Sequence, residues 1–287
     1  MQFSTPLRYP GGKGKLTEFL KYVVSGNNLI GCDYVEPYAG GAGIAINLLL
    51  HGYARHIHLN DLNASVYSFW HSVVHYPDEL CKLICDTPVT MDEWHKQKSI
   101  QANHQNYSQL EIGFSTFFLN RTNRSGIIWG GVIGGKKQTG EWKIDARFNK
   151  DNLINRIERI ALYSSAISIY NEDAVKFITK KIPSLPRKTL VYLDPPYYVK
   201  GKGLYENHYI HDDHLKIAQI VATKLKRPWI VSYDHAPEIV DMYPNFKSIV
   251  YGINYSAQDR YKGAEIMFFS DRLEVPDVEN PVAVRVA

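Results

Sequence analysis

At 287 residues the chain has room for one large domain, or for one domain carrying an insertion, and its 45% hydrophobic content suits an ordinary packed core. No apolar run reaches the ~18–20 residues of a membrane span, and the N-terminal MQFSTPLRYPGGKGK lacks the apolar stretch of a secretion signal, so a cytoplasmic protein with no membrane partner is expected. Three cysteines (Cys32, Cys81, Cys85), with no HExxH and no paired CxxC, exclude a disulfide framework and leave no metal site expected, while the net charge of +4 is mild.

In chain order, residues 33–37 read as a strand, followed by the glycine loop AGGAG and a helix over 44–51. A second strand over 56–59 ends at Asn60-Asp61. From about Tyr76 to about Tyr163 the alternation stops; helical segments lead into NRTNRSGIIWGGVIGGKKQTGEWK, and the stretch reads as an inserted lobe. Strands over 166–170 and 189–193 follow, the latter ending at Asp194. A helix over 211–224 has an acidic first turn, which complements the helix dipole. A strand over 229–233 precedes two more, over 246–253 and 265–270, close enough to pair antiparallel. The tail after about Val275 carries Pro276 and Pro281 and should trail over the surface. Strands alternating with helices predict a doubly wound, Rossmann-like α/β core.

Charge is concentrated in the lobe. Between Asn120 and Arg159 there are nine basic residues against four acidic ones, so the rest of the chain is close to neutral. Such a cluster suits a polyanion.

The loop VEPYAGGAG lies between a strand and a helix, where glycines let the backbone approach a ligand. Asp61, at the end of the next strand, is placed to accept ribose hydroxyls. A nicotinamide dinucleotide would fit both features. The GxGxxG spacing is absent, however, and Glu36 just before the loop would repel a pyrophosphate. Glu36 favours a ligand bearing a sulfonium or ammonium group and no phosphate, which describes S-adenosylmethionine.

Asp194-Pro195-Pro196-Tyr197 follows the apolar strand TLVYL. Two prolines stiffen the turn and remove backbone donors. An aromatic amine is a poor nucleophile because its lone pair is delocalised. Asp194 and the Pro195 carbonyl can each accept one of its N–H groups, freeing the lone pair for attack on a methyl group. Tyr197 would stack on a base that has left the duplex.

These residues resemble the DNA adenine methylase family, in the group whose target-recognition domain lies between the glycine loop and DPPY. The matching pieces are RYPGGK, VEPYAGGAG, LND, FFLNRTNRSG and DPPY, in the family's order over nearly the whole chain. RYPGGK together with FLNRTNRSG is more specific than DPPY, which other amino-methyltransferases share. The resemblance implies an S-adenosylmethionine-dependent catalytic domain formed by 1–75 and 164–287, with a mostly helical recognition domain over 76–163. It implies cofactor contacts from Tyr9, Lys13, Glu36, Pro37, Tyr38, Gly40, Gly41, Gly43, Asp61, Asp173 and Asp194, Lys13 pairing with the methionine carboxylate. Asp173 equally suits an N-cap for the helix after it.

In the lobe, the resemblance implies that Arg121, Arg124, Lys136, Lys137 and Arg147 meet double-stranded DNA. Asn120 or Asn123 would read adenine, and Trp129 would fill the space of a flipped base. Phe117, Phe118 and Leu119 read as core, and Trp142, Arg147 and Phe148 as support for the lobe. A member of a restriction–modification pair would have a cognate restriction endonuclease as partner. The segment 126–139 departs from the recognition hairpin of GATC-specific members, so the target sequence is not given. The alternatives are an RNA adenine methyltransferase, a non-catalytic DNA-binding relative and a nicotinamide oxidoreductase.

Overall fold

Period-two alternation in the central strands divides their side chains between two hydrophobic layers. The computed structural model describes residues 4–9, 12–199, 209–255 and 261–284. Its sheet has seven strands: β1 (Cys32–Glu36), β2 (Ala54–Asn60), β3 (Ile167–Tyr170), β4 (Thr189–Leu193), β5 (Trp229–Asp234), β6 (Lys247–Tyr255) and β7 (Tyr261–Phe269). The order is β3-β2-β1-β4-β5-β7-β6. The first five strands pair in parallel, and β7 runs antiparallel between β5 and β6. Tyr34, Leu190, Tyr192, Ile230 and Met267 face one layer; Val35, Val191, Leu193, Val231 and Ile266 face the other. The chain therefore adopts the Rossmann-like α/β class expected of it, with strand limits within a few residues of the predicted ones.

The first layer is covered by α1 (Thr17–Gly26), α2 (Gly43–Leu50) and α3 (Ala64–His75). It continues without a break into α4 (Pro77–Asp86), α5 (Met91–Ala102), α6 (Gln109–Thr122) and α7 (Lys150–Ala161), which occupy the stretch read as an insertion. Ser108 and Glu111 form a capping box that starts α6. From Ile112 to Thr122 every residue of that helix is buried, the pattern of a central helix rather than an amphipathic one. Gly113 lets it lie close to α3, because a Cβ there would collide with Ser72 and with the Ser68 carbonyl. Phe117 and Phe118 pack on Phe148, whose expected supporting role is thereby met. The second layer is closed by α8 (Ala174–Lys176), which continues as a wider turn over Phe177–Lys181, and by α9 (His211–Thr223) and α10 (Pro237–Met242).

Parallel pairing sends the C-terminal ends of β1, β2, β4 and β5 to one edge of the sheet, where ligands bind in this architecture. Those ends carry Glu36, Asn60-Asp61, Asp194 and Asp234. No helix among the described residues is long and apolar enough to cross a membrane.

Candidate active site

Glu36 ends β1 and is 5% exposed. Its Oε1 accepts the Ala45 amide of α2 at 3.2 Å, but burial dominates and pushes the carboxyl up to about 8, with the charge of Asp194 adding to the rise. The mutual effect of Glu36 and Asp194 puts the two strand ends in one electrostatic environment.

The glycine loop is shaped around Tyr9. Gly40 has φ +45°, and a Cβ there would sit 2.7 Å from the Tyr9 ring. The Gly40 amide donates to Asp61 Oδ2 at 2.9 Å, and the Trp70 indole N–H donates to the Gly40 carbonyl at 2.9 Å. Asp61 Oδ1 accepts the Asn63 amide at 2.9 Å; burial still raises the Asp61 carboxyl to about 6. Between these elements Asn60 acts as a fastener. Its side-chain amide donates to the Pro37 and Glu172 carbonyls, both at 3.0 Å, and its carbonyl oxygen accepts the Glu172 amide at 3.0 Å. The ends of β1, β2 and β3 are thereby tied together. Tyr38 meets Tyr209 through their hydroxyls at 3.1 Å. Asp173 accepts the Lys176 amide at 3.0 Å, so it is the N-cap of α8.

At the end of β4, Asp194 Oδ1 accepts from the Lys13 ammonium at 3.0 Å and from the Ser232 hydroxyl at 2.9 Å. Lys13 Nζ also lies 3.3 Å from Glu265 Oε1. The Tyr197 hydroxyl donates to that same Glu265 oxygen at 2.9 Å, and the Tyr251 hydroxyl donates to Glu265 Oε2 at 2.7 Å. Burial raises the Asp194 carboxyl; Lys13 opposes the rise and Glu265 reinforces it. Burial pulls the Lys13 ammonium down, but Asp194, Tyr197, Glu265 and Tyr251 together outweigh it and hold it well above the usual lysine range. The turn that follows is held by Asp234, which accepts the Tyr198 and Val199 amides at 2.8 and 2.9 Å. Pro195 and Pro196 lie between these two anchorages.

Two expectations are corrected here. Lys13 is 6% exposed and directed at Asp194 and Glu265, because an ammonium so buried requires carboxylates rather than solvent. Tyr197 is 3% exposed with its hydroxyl on Glu265, so its ring is turned into the protein instead of standing free to stack. Glu265, Tyr251 and Ser232 were not anticipated. A carboxylate within the apolar run GAEIMFFS was the available signal, since such a group needs a partner once buried.

The lobe corrects others. Asn120 is 3% exposed; it accepts the Arg8 amide at 2.8 Å and donates to the Arg8 and Gly126 carbonyls. Asn123 is fully buried, accepts the Trp94 indole N–H at 2.7 Å and donates to the Ile127 and Ile128 carbonyls. Neither reaches a base edge, because each satisfies the backbone of the turn after α6. Arg121 is also buried; desolvation, with Arg156, Arg8 and Arg147 adding repulsion, brings it down to about 9. Arg156 is one of the nine basic residues counted between Asn120 and Arg159, whereas Arg8, from the N-terminal segment, is an addition made by the fold. Arg124, Trp129, Lys136, Lys137 and Arg147 are exposed. Lys98 lies 5.2 Å over the Trp129 ring and donates to the Ile128 carbonyl at 2.9 Å. The segment 120–142 is a compact loop in which an isolated bridge joins Asn123 and Val132. Gln138 supports it, donating to the Ile133 and Gly135 carbonyls and accepting the Ile144 amide.

The family model of the D12 class N6 adenine-specific DNA methyltransferases matches residues 9–256. No curated protein matches the chain. Two structures of the rRNA methyltransferase aviRa from Streptomyces viridochromogenes align with 87% of this chain and 83% of theirs, at 10% and 11% identity and TM-scores of 0.36 and 0.33. The family match spans most of the chain, which belongs to the D12 class of N6 adenine-specific DNA methyltransferases.

Proposed function

We propose that this D12 class chain transfers a methyl group from S-adenosylmethionine to the exocyclic amine of an adenine flipped out of duplex DNA. The observation that carries the reading is the state of Asp194: it ends β4 beside the glycine loop, with one carboxylate oxygen held by Lys13 and Ser232. A carboxylate fixed this way is an oriented acceptor, and its side chain retains 24% exposure.

The donor set around the loop supports this cofactor. Glu36, Asp61 and Asp173 gather at adjoining strand ends, and such a set suits ribose hydroxyls and cationic groups better than phosphates. The donor supplies an electrophilic methyl group on sulfur. The protein's part is to orient and to accept. Asp194 takes one N–H of the adenine amine and the Pro195 carbonyl takes the other, drawing the nitrogen toward tetrahedral geometry. Glu36, held neutral by burial, is placed to ionise beside a bound cation. Asn60 holds the loop and the ribose carboxylate in register.

The DNA backbone is assigned to the exposed basic face of the lobe, formed by Arg124, Lys136, Lys137 and Arg147. The arginines behind it maintain positive potential at the root of that loop. Trp129, exposed and backed by Lys98, is the aromatic group available to a vacated base stack.

The test is incubation of the purified protein with methyl-labelled donor and mixed-sequence duplex DNA, with RNA in a parallel arm. Label on N6 of adenine in DNA is expected. Label on cytosine, on polypeptide or on RNA alone would overturn the reading. Asp194→Asn should lower transfer by about 10²–10³ while duplex binding persists.

A further inference from the structure

We infer that Glu265, at the middle of β7, is a positioning residue for methyl transfer: it clamps both ends of the Asp-Pro-Pro-Tyr turn and leaves Asp194 Oδ2 as the acceptor for the adenine amine. The inference rests on the functional reading above. The clamp at the far end is direct, since the Tyr197 hydroxyl donates to Glu265 Oε1 at 2.9 Å. At the near end it runs through Lys13, whose ammonium is 3.3 Å from Glu265 Oε1 and 3.0 Å from Asp194 Oδ1. Tyr251 holds the opposite oxygen of Glu265 at 2.7 Å. In the sheet, Glu265 stands opposite Asp234 of β5 and Tyr251 of β6, so the antiparallel strand brings a mid-strand carboxylate level with the ends of the parallel strands.

Oxygen saturation selects the free acceptor. Asp194 Oδ1 already receives Lys13 and Ser232. Its side chain is 24% exposed, whereas those of Lys13 and Glu265 are 3% and 0%. The open side of the carboxylate is therefore the Oδ2 side. Charge points the same way. Among the described residues the Lys13 ammonium sits between the Asp194 and Glu265 carboxylates, and Asp194 is the most exposed of the three. The attacking nitrogen gains positive charge in the transition state, and a fixed negative charge there stabilises it. Without Glu265, one of the two carboxylates that share the Lys13 ammonium is gone, and Asp194 is compensated more strongly by it. Among the described residues the titratable groups around Asp194 are Lys13, Glu265, Glu36 and Tyr192, with Tyr197 and Tyr251 bonded to Glu265 behind them.

Glu265→Gln keeps the size and an acceptor oxygen but removes the charge. Single-turnover transfer should fall about 10–100-fold, with donor and duplex affinities within about twofold of wild type. The acid limb of the rate–pH profile should move to lower pH, because Glu265 contributes to the raised titration of Asp194. An activity-independent readout is the carboxyl-carbon titration of aspartate-labelled protein, with Asp194→Asn giving the assignment; Asp194 should titrate lower in Glu265→Gln. Glu265→Asp, retaining charge, should keep the wild-type limb and recover part of the rate. An unchanged rate in Glu265→Gln, or a lowered rate with the Asp194 titration unmoved, would overturn the inference. If Glu265→Gln fails to fold, Glu265→Asp decides: a reduced rate on an unmoved limb supports the clamp, and a wild-type rate overturns it. Absence of adenine methylation by the wild-type protein would instead refute the functional reading, leaving the titration result to stand alone.

Discussion

Replacing Glu36 with glutamine should stabilise the protein at neutral pH and leave it unchanged at pH 4. Burial lifts the folded-state titration of Glu36 from 4.5 to about 8. The unfolded chain loses this proton near 4.5, so between the two values the folded state binds more protons than the unfolded one. Stability contributed by the neutral acid is complete below pH 4.5 and is lost progressively as pH rises toward 8. At about 1.4 kcal/mol per pH unit, the loss is about 3 kcal/mol at pH 7 and about 4 kcal/mol by pH 8. Glutamine accepts the Ala45 amide as glutamate does but never ionises. Urea unfolding of both proteins at pH 4, 5, 6, 7 and 8 should give midpoints that coincide at the acid end and diverge upward, the variant becoming the more stable. Parallel curves across the range would refute the assignment of a buried, neutral carboxyl at this strand end. The same group links to ligand binding: a cation beside it restores the carboxylate, so donor affinity should rise between pH 6 and 8 in the wild type and rise less in Glu36→Gln, where Asp61, at about 6, still titrates, as titration calorimetry would record.

Gly40→Ala introduces a Cβ at positive φ and against the Tyr9 ring, and should cost about 1–3 kcal/mol in urea unfolding; donor affinity should fall with it. Asn123→Ala removes an acceptor for the Trp94 indole and two donors to backbone carbonyls, so a loss of about 2–4 kcal/mol is expected, with the modified sequence in long-read maps unaltered because the residue is interior. Removing Lys136 and Lys137 together should lower the slope of log affinity against log salt by about one to two, measured by duplex binding at several salt concentrations, while transfer at saturating DNA is maintained.

The sheet was legible in the chain because its strands are short apolar runs that end in polar residues. TLVYL before Asp194 was placed without error, and β1, β2 and β5 were off by one or two residues at an end. What one-dimensional pattern could not supply is partnership. Lys13 sits in a glycine-rich turn that reads as solvated, and only the fold places its ammonium between Asp194 and Glu265, one of them 252 positions away. Asn120 and Asn123 look like base readers by residue type, yet each is spent on the backbone of a turn whose shape does not follow from its composition. The family resemblance places Arg121 on DNA, whereas α6, buried from Ile112 to Thr122, carries it inside. Tyr197 was given a stacking role from chemistry alone, and the competing hydroxyl partner comes from the last strand of the sheet.

On the proposed reading, the distribution of charge accounts for transfer chemistry and DNA contact falling on different segments. Four parallel strand ends deliver Glu36, Asp61, Asp194 and Asp234 to one edge, a set of carboxyl acceptors that suits an uncharged base better than a phosphate. A base can enter there because it is uncharged, and because acceptors rather than donors activate its amine. The phosphates must then be held elsewhere, which is the part assigned to the loop between α6 and α7, where the basic excess is concentrated. One hydrophobic layer runs from the sheet through α3 to α6 between the edge and the loop. On the proposed reading, a duplex held on the loop would present its backbone to arginines and lysines while one nucleotide crosses to the carboxyl-lined edge, with that one hydrophobic cluster lying between the two segments.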